Sequence, residues 1–120
     1  MVEYSLDADK STLVVRPKSA LEAADFARLA LAMDPHIEKT GSLAGLVIEA
    51  PAFPGWEGLG ALAAHIRFVR DHHRRIRKVA VVTDSALGRV LERLAAPFVA
   101  ARIRRFKAGG LEAARQWVLE

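Results

Sequence analysis

The sequence predicts an α/β fold: a single domain over residues 1–120 with the element order ββαβαβαβα, a mostly parallel sheet, an N-terminal hairpin and covering helices. Three observations predict it. Two short runs, "AGLVIEA" (44–50) and "KVAVVTD" (78–84), are almost wholly apolar, as strands covered on both faces must be. Between and after them, apolar residues recur at three- and four-residue steps, the helical period. A chain of 120 residues fills one core, whereas two domains of half that size would each be marginal. Strands that alternate with helices pair in parallel through right-handed crossovers.

The elements follow in order. "EYSLD" (3–7) and "STLVVRP" (11–17) alternate or are β-branched, and "ADK" between them marks an antiparallel hairpin. A helix should open at Ser19, with Glu22 at capping-box spacing. Glu22, Asp25 and Arg28 would then line a solvent-facing stripe, leaving Leu21, Ala24, Leu29 and Ala32 to face the sheet. Pro35 should end or kink this helix, and Gly41 should stop it. After the strand at 44–50, a second helix runs from about Glu57 to His72, with Leu59, Leu62, Ala63, Ile66 and Val69 on its inward face. Asp84 or Ser85 can cap a third helix, whose Leu87, Val90, Leu91 and Leu94 would be buried and whose end lies near Pro97. "ARIRRFK" (101–107) reads as an edge strand, and Gly109–Gly110 lead into a terminal helix, "LEAARQWVLE".

Composition removes several function classes. Apolar content of 52% with 27% charged residues belongs to a globular chain, not a disordered one. With no cysteine, disulfides, thiolate catalysis and zinc–thiolate sites are excluded. The first ten residues lack the apolar core of a secretory signal, and no uncharged apolar run nears the ~20 residues that span a bilayer. These features predict a soluble, cytoplasmic protein.

The net charge of +4 is concentrated. "RDHHRRIRK" (70–78) and "RIRRFK" (102–107) each carry +4, so the remainder of the chain is −4. An anionic partner would meet Arg70, Arg74, Arg75, Arg77 and Lys78, or Arg102, Arg104, Arg105 and Lys107. Such runs are commonly just solvated; contact with anionic lipid headgroups is the sharper reading. Nucleic acid is disfavoured, because Phe106 stands alone and no array of aromatics accompanies the charge.

The strand-to-helix turn "EAPAFPGWEGLG" (49–60) sits where α/β proteins bind ligands. It holds no Ser, Thr, Cys, His or Lys. Its glycines run G-x-x-G-x-G, the reverse of the dinucleotide spacing, and Glu57 would repel a phosphate from the helix start. Phe53 and Trp56 either form an apolar lip for a ligand or fold back as a plug. His65, His72 and His73 with Asp71 could suggest a metal site, but Arg70, Arg74 and Arg75 would repel the cation, so these histidines read as a solvated helix end. Thr83, Asp84 and Ser85 are explained by a helix cap. Glu49, Glu57 and Asp84 lack a nucleophile or acid–base partner. No catalytic residue, metal or cofactor is expected.

Three segments carry a family resemblance: "FPGW" (53–56), "RIRKVAVVTD" (75–84) and "RRFKAGGLEAARQWV" (104–118). Together they resemble the SpoIIAA-like family, small bacterial proteins related to STAS domains. The resemblance implies a STAS-like sandwich, a fold akin to the lipid-carrying CRAL-TRIO domains. In sporulation-type antagonists a phosphorylatable serine stands just before "GLG". Here Trp56 and Glu57 precede Gly58, Leu59 and Gly60, so the scaffold carries over without the phosphorylation switch. The expected function is a non-enzymatic binding module. It would take a small apolar or amphipathic, lipid-like ligand at Phe53, Pro54, Trp56, Leu59, Leu62 and Leu87, with peripheral association to anionic membrane. The alternative is a protein–protein interaction adaptor. The apolar helices and the edge strand also admit a homodimer.

Overall fold

The computed structural model describes residues 1–86 and 99–120. The third helix expected from the sequence, with Leu87, Val90, Leu91, Leu94 and Pro97, lies outside the described residues. The strands are β1 (Val2–Asp7), β2 (Thr12–Pro17), β3 (Leu43–Glu49), β4 (Ile76–Val82) and β5 (Arg102–Phe106). The helices are α1 (Ala23–Thr40), α2 (Leu59–His72) and α3 (Leu111–Val118). A short 3-10 turn, His73–Arg75, joins α2 to β4.

The five strands lie in sequential order, β1-β2-β3-β4-β5. β1 and β2 form the expected antiparallel hairpin, in the register Val2↔Pro17 to Asp7↔Thr12. The Asp7 carboxylate tightens its turn by accepting the Lys10 N–H at 3.1 Å. The remaining pairings are parallel. Winding onward in one direction places α1 and α2 against each other on one face. Alternate residues therefore build two cores. Leu13, Val15 and Leu46 meet Phe26, Leu29, Met33 and Ile37 of α1. Val14, Val47, Ala80 and Val82 meet Ala114, Trp117 and Val118 of α3 on the other face.

Gly45 lets α3 approach closely: a Cβ built there would lie 2.6 Å from the Val118 side chain. Arg16 and Glu49 join β2 to β3 on the same face, 2.7 Å apart.

Helix α1 departs from the sequence reading at both ends. The cap is Glu22 instead of Ser19, and Asp25 closes the capping box by accepting the Glu22 N–H at 2.8 Å. Asp25 is consequently buried and paired with Arg28, not part of a solvent stripe. Ala24 is exposed and Ala32 half-buried; Phe26, Met33 and Ile37 take the inward face with Leu29. Pro35 does not end the helix, which continues to Thr40 and stops at Gly41, left-handed at φ 93°.

Candidate functional site

The chain leaves β3 and forms the turn 50–58 before α2 begins. Its backbone is held on two sides. Leu21 donates its N–H to the Gly55 carbonyl and accepts from the Glu57 N–H, both at 2.8 Å, so Trp56 pairs with Leu21 as an isolated bridge. Asp84 donates to the Pro51 carbonyl at 3.3 Å. Gly55 and Gly58 adopt φ of 81° and 127°, values that exclude most side chains. The turn thus serves to hold Trp56 in place.

From Trp56 a file of rings runs beneath α2. Phe53 meets Trp56 edge-on at 5.1 Å between centroids. The Trp56 indole donates its Nε1–H to Nδ1 of His65 at 3.0 Å. His65 stacks on Phe26 at 4.8 Å, Phe26 lies 5.8 Å from Phe68, and Phe68 stacks on His72 at 4.3 Å. The file ends where His72 Nε2 meets the Asp34 carboxylate at 2.8 Å, tying α2 to α1. His72 Nδ1 faces the Phe68 carbonyl at 2.8 Å, so both ring nitrogens are engaged by oxygen acceptors.

Between this file and the sheet lies a cavity of about 240 Å³. Val15, Met33, Phe53, Phe68, Val79 and Ile103 supply much of its wall. His65, His72, His73 and Thr83 also line it, while no Lys, Arg, Asp or Glu does so among the described residues. Burial pushes the His65 imidazole below the usual histidine range, because its charged form would lose hydration. A second groove, of about 460 Å³, is polar and lies beside α3, lined by residues that include Lys10, Arg16, Glu112 and Arg115.

The sequence-predicted ligand residues divide. Phe53 lines the cavity. Phe53 and Trp56 are both half-buried: they pack against the core yet are not sealed in it. Trp56 acts from behind, through His65. Pro54 is exposed and Leu62 is half-buried, and neither lines the cavity. Leu59 was expected to face inward and is 84% exposed, as Ile66 is at 62%. The helix presents its aromatic and histidine stripe to the interior instead, because Trp56 and Asp34 supply hydrogen bonds there. Leu87 lies outside the described residues.

The histidines are therefore not a solvated helix end. His72 is buried and His65 and His73 are half-buried. The missed residues Phe26, Met33, His65 and Phe68 left one trace in the sequence: His65, Phe68 and His72 share a helical face.

The basic runs are partly engaged in structure. Lys78 donates to the carbonyls of Trp117 and Glu120, Arg75 to that of Gly41, and Arg105 to that of Thr83. Arg104 stacks on Phe106 at 4.9 Å, and Arg70 pairs with Asp71. Arg74, Arg77, Arg102 and Lys107 are exposed. Thr83 Oγ1 accepts the Ser85 N–H, and the Asp84 carboxylate accepts the Ala108 N–H, so both stabilise turns. Among the described residues no cluster of His, Asp and Glu is arranged to hold a metal ion. No described helix is long and apolar enough to cross a membrane.

A sequentially wound sheet with helices on both faces defines a STAS-like α/β protein. The SpoIIAA-like family model matches residues 12–119, and the chain belongs to that family. It is similar in fold to an uncharacterized protein with a SpoIIAA-like fold from Shewanella loihica PV-4. That likeness has a TM-score of 0.74 at 16% identity and covers 98% of this chain and 92% of that one. Among curated proteins, none matches the chain.

Proposed function

We propose that the protein is a non-enzymatic binding module that takes a small apolar or amphipathic ligand beneath α2. The observation that carries this reading is the cavity. About 240 Å³ of space with an almost wholly apolar wall is larger than the roughly 150 Å³ apolar cavity that stays dry and takes up benzene in other proteins. It falls below the roughly 300–1,000 Å³ of drug-sized sites, so the occupant is a short chain or one arm of a lipid, not a whole diacyl lipid.

Met33 makes the reading testable. The chain has two methionines, Met1 exposed and Met33 fully buried in the cavity wall. With methyl-13C methionine, titration with 2-heptanone should move the Met33 signal and leave Met1 in place. If neither signal moves with any short-chain compound, the module does not bind such ligands.

Peripheral membrane association accompanies this reading. Leu59 and Ile66 form an exposed stripe on α2, and the exposed Arg67 and Arg70 lie beside or beyond it. The same stripe supports a second reading, a protein-interaction adaptor, in keeping with a STAS-type scaffold. Flotation with neutral and anionic vesicles separates the two. Salt-sensitive binding to anionic vesicles favours the membrane, and no vesicle binding favours a protein partner.

A further inference from the structure

The bond between Trp56 and His65 fixes the position of a proton. An indole N–H can only donate. Nδ1 of His65, 3.0 Å away, must therefore present its lone pair. In a neutral ring the hydrogen then sits on Nε2, and burial, which lowers the proton affinity of this imidazole, keeps the ring neutral. Among the described residues no group accepts from Nε2, and His65 lines the cavity.

The other polar side chains of the described wall also have partners. His72 is bound at both nitrogens. Thr83 Oγ1 holds Ser85. His73 accepts the Ala100 N–H through Nδ1. Of the two cavity-lining histidines that accept at Nδ1, His65 is the one seated in the file of rings, between Trp56 and Phe26.

We propose that His65 Nε2–H is the recognition donor of the cavity, and that its ligand is a short apolar chain bearing one uncharged acceptor oxygen, such as a ketone, ester or amide carbonyl. This rests on the binding reading above. A carboxylate is disfavoured for two reasons. Among the described residues no Lys or Arg lines the cavity to neutralise it. A carboxylate that drew a second proton onto the ring would also place Nδ1–H against the Trp56 N–H and break the bond that holds the turn. A pure hydrocarbon would leave Nε2–H without a partner.

The test compares heptane, 2-heptanone and heptanoate at pH 7.5, read by the Met33 methyl signal and by 15N–1H correlations of the imidazoles. The His65 ring should show the Nε2–H tautomer, and its Nε2–H proton should move downfield with 2-heptanone but not with heptane. In His65→Phe, the affinity ratio of 2-heptanone to heptane should fall about tenfold, the size of one hydrogen bond. Heptanoate should bind the wild type more weakly than 2-heptanone. An Nδ1–H tautomer, or a Nε2–H signal indifferent to the ketone, overturns the proposal even if His65→Phe does not fold. An unchanged ratio in that variant, or tighter binding of heptanoate, overturns it while leaving cavity binding intact. If all three compounds leave Met33 unmoved, the binding reading fails and this inference fails with it.

Discussion

Lys78 stands over Trp117, its ammonium 5.0 Å from the indole centroid and 3.1 Å from the Trp117 carbonyl. One residue of β4 thereby closes the end of α3, where a cation opposes the helix dipole and satisfies terminal carbonyls. Lys78→Met keeps the aliphatic stem and removes the charge. It should cost about 1–2 kcal/mol in urea unfolding, the sum of a partly buried cation–π contact and a helix-end charge. A variant as stable as the wild type would show that Lys78 is a solvated charge.

Gly45 faces Val118 at a distance that admits no side chain. Gly45→Ala should destabilise by about 1–3 kcal/mol through overpacking. The same substitution in a Val118→Ala background should cost clearly less, because the opposing methyl groups are gone. Equal costs in the two backgrounds would place the strain elsewhere.

Among the described residues, His65 and Asp25 are buried or half-buried groups that give the stability an acid limb. The neutral His65 has its proton affinity lowered by folding, so the unfolded chain takes up a proton first as pH falls below about 6.5. Its contribution is complete above that pH and is lost progressively on the way down to the folded value. For Asp25, burial alone would raise the carboxyl, but the Glu22 N–H and Arg28 outweigh it and hold the group below the usual range. Its contribution is complete above about pH 3.9 and is lost as pH falls further. Unfolding free energy should therefore decline in two steps on acidification. His65→Gln should diminish the upper step and Asp25→Asn the lower. A single step in the wild type, or an upper step of unchanged size without His65, contradicts this assignment.

Leu59 and Ile66 contribute apolar surface without packing. Leu59→Ser with Ile66→Ser should change stability by no more than about 0.5 kcal/mol per site. The same pair should sharply reduce flotation with anionic vesicles. Unchanged flotation would remove α2 from the membrane-facing surface.

The sequence made the sheet legible because the coverage of a strand is written in its residues. An all-apolar run such as 44–50 states that both faces are covered, and the structure places it as β3 between parallel neighbours. The start of α1 was ambiguous, since Ser19, Glu22 and Asp25 offer two overlapping capping boxes. The choice is made at long range: Leu21 pairs with Trp56, and Glu22 beside it is extended at φ −110° and ψ 158°, so the helix starts after it. On α2, periodicity identifies stripes but not which one is covered. The aliphatic stripe has the greater hydrophobicity, but the partners Trp56 and Asp34 lie opposite the histidine stripe. The cavity is a property of how two helices stand off a sheet, and no local pattern records it.

β5, the outer strand of the described sheet beyond β4, carries Arg102, Arg104 and Arg105 within five residues and Lys107 just after. Two copies of this strand laid side by side would set guanidinium against guanidinium along the seam. That repulsion would oppose edge-to-edge pairing of two copies through β5, and it would weaken as salt is added.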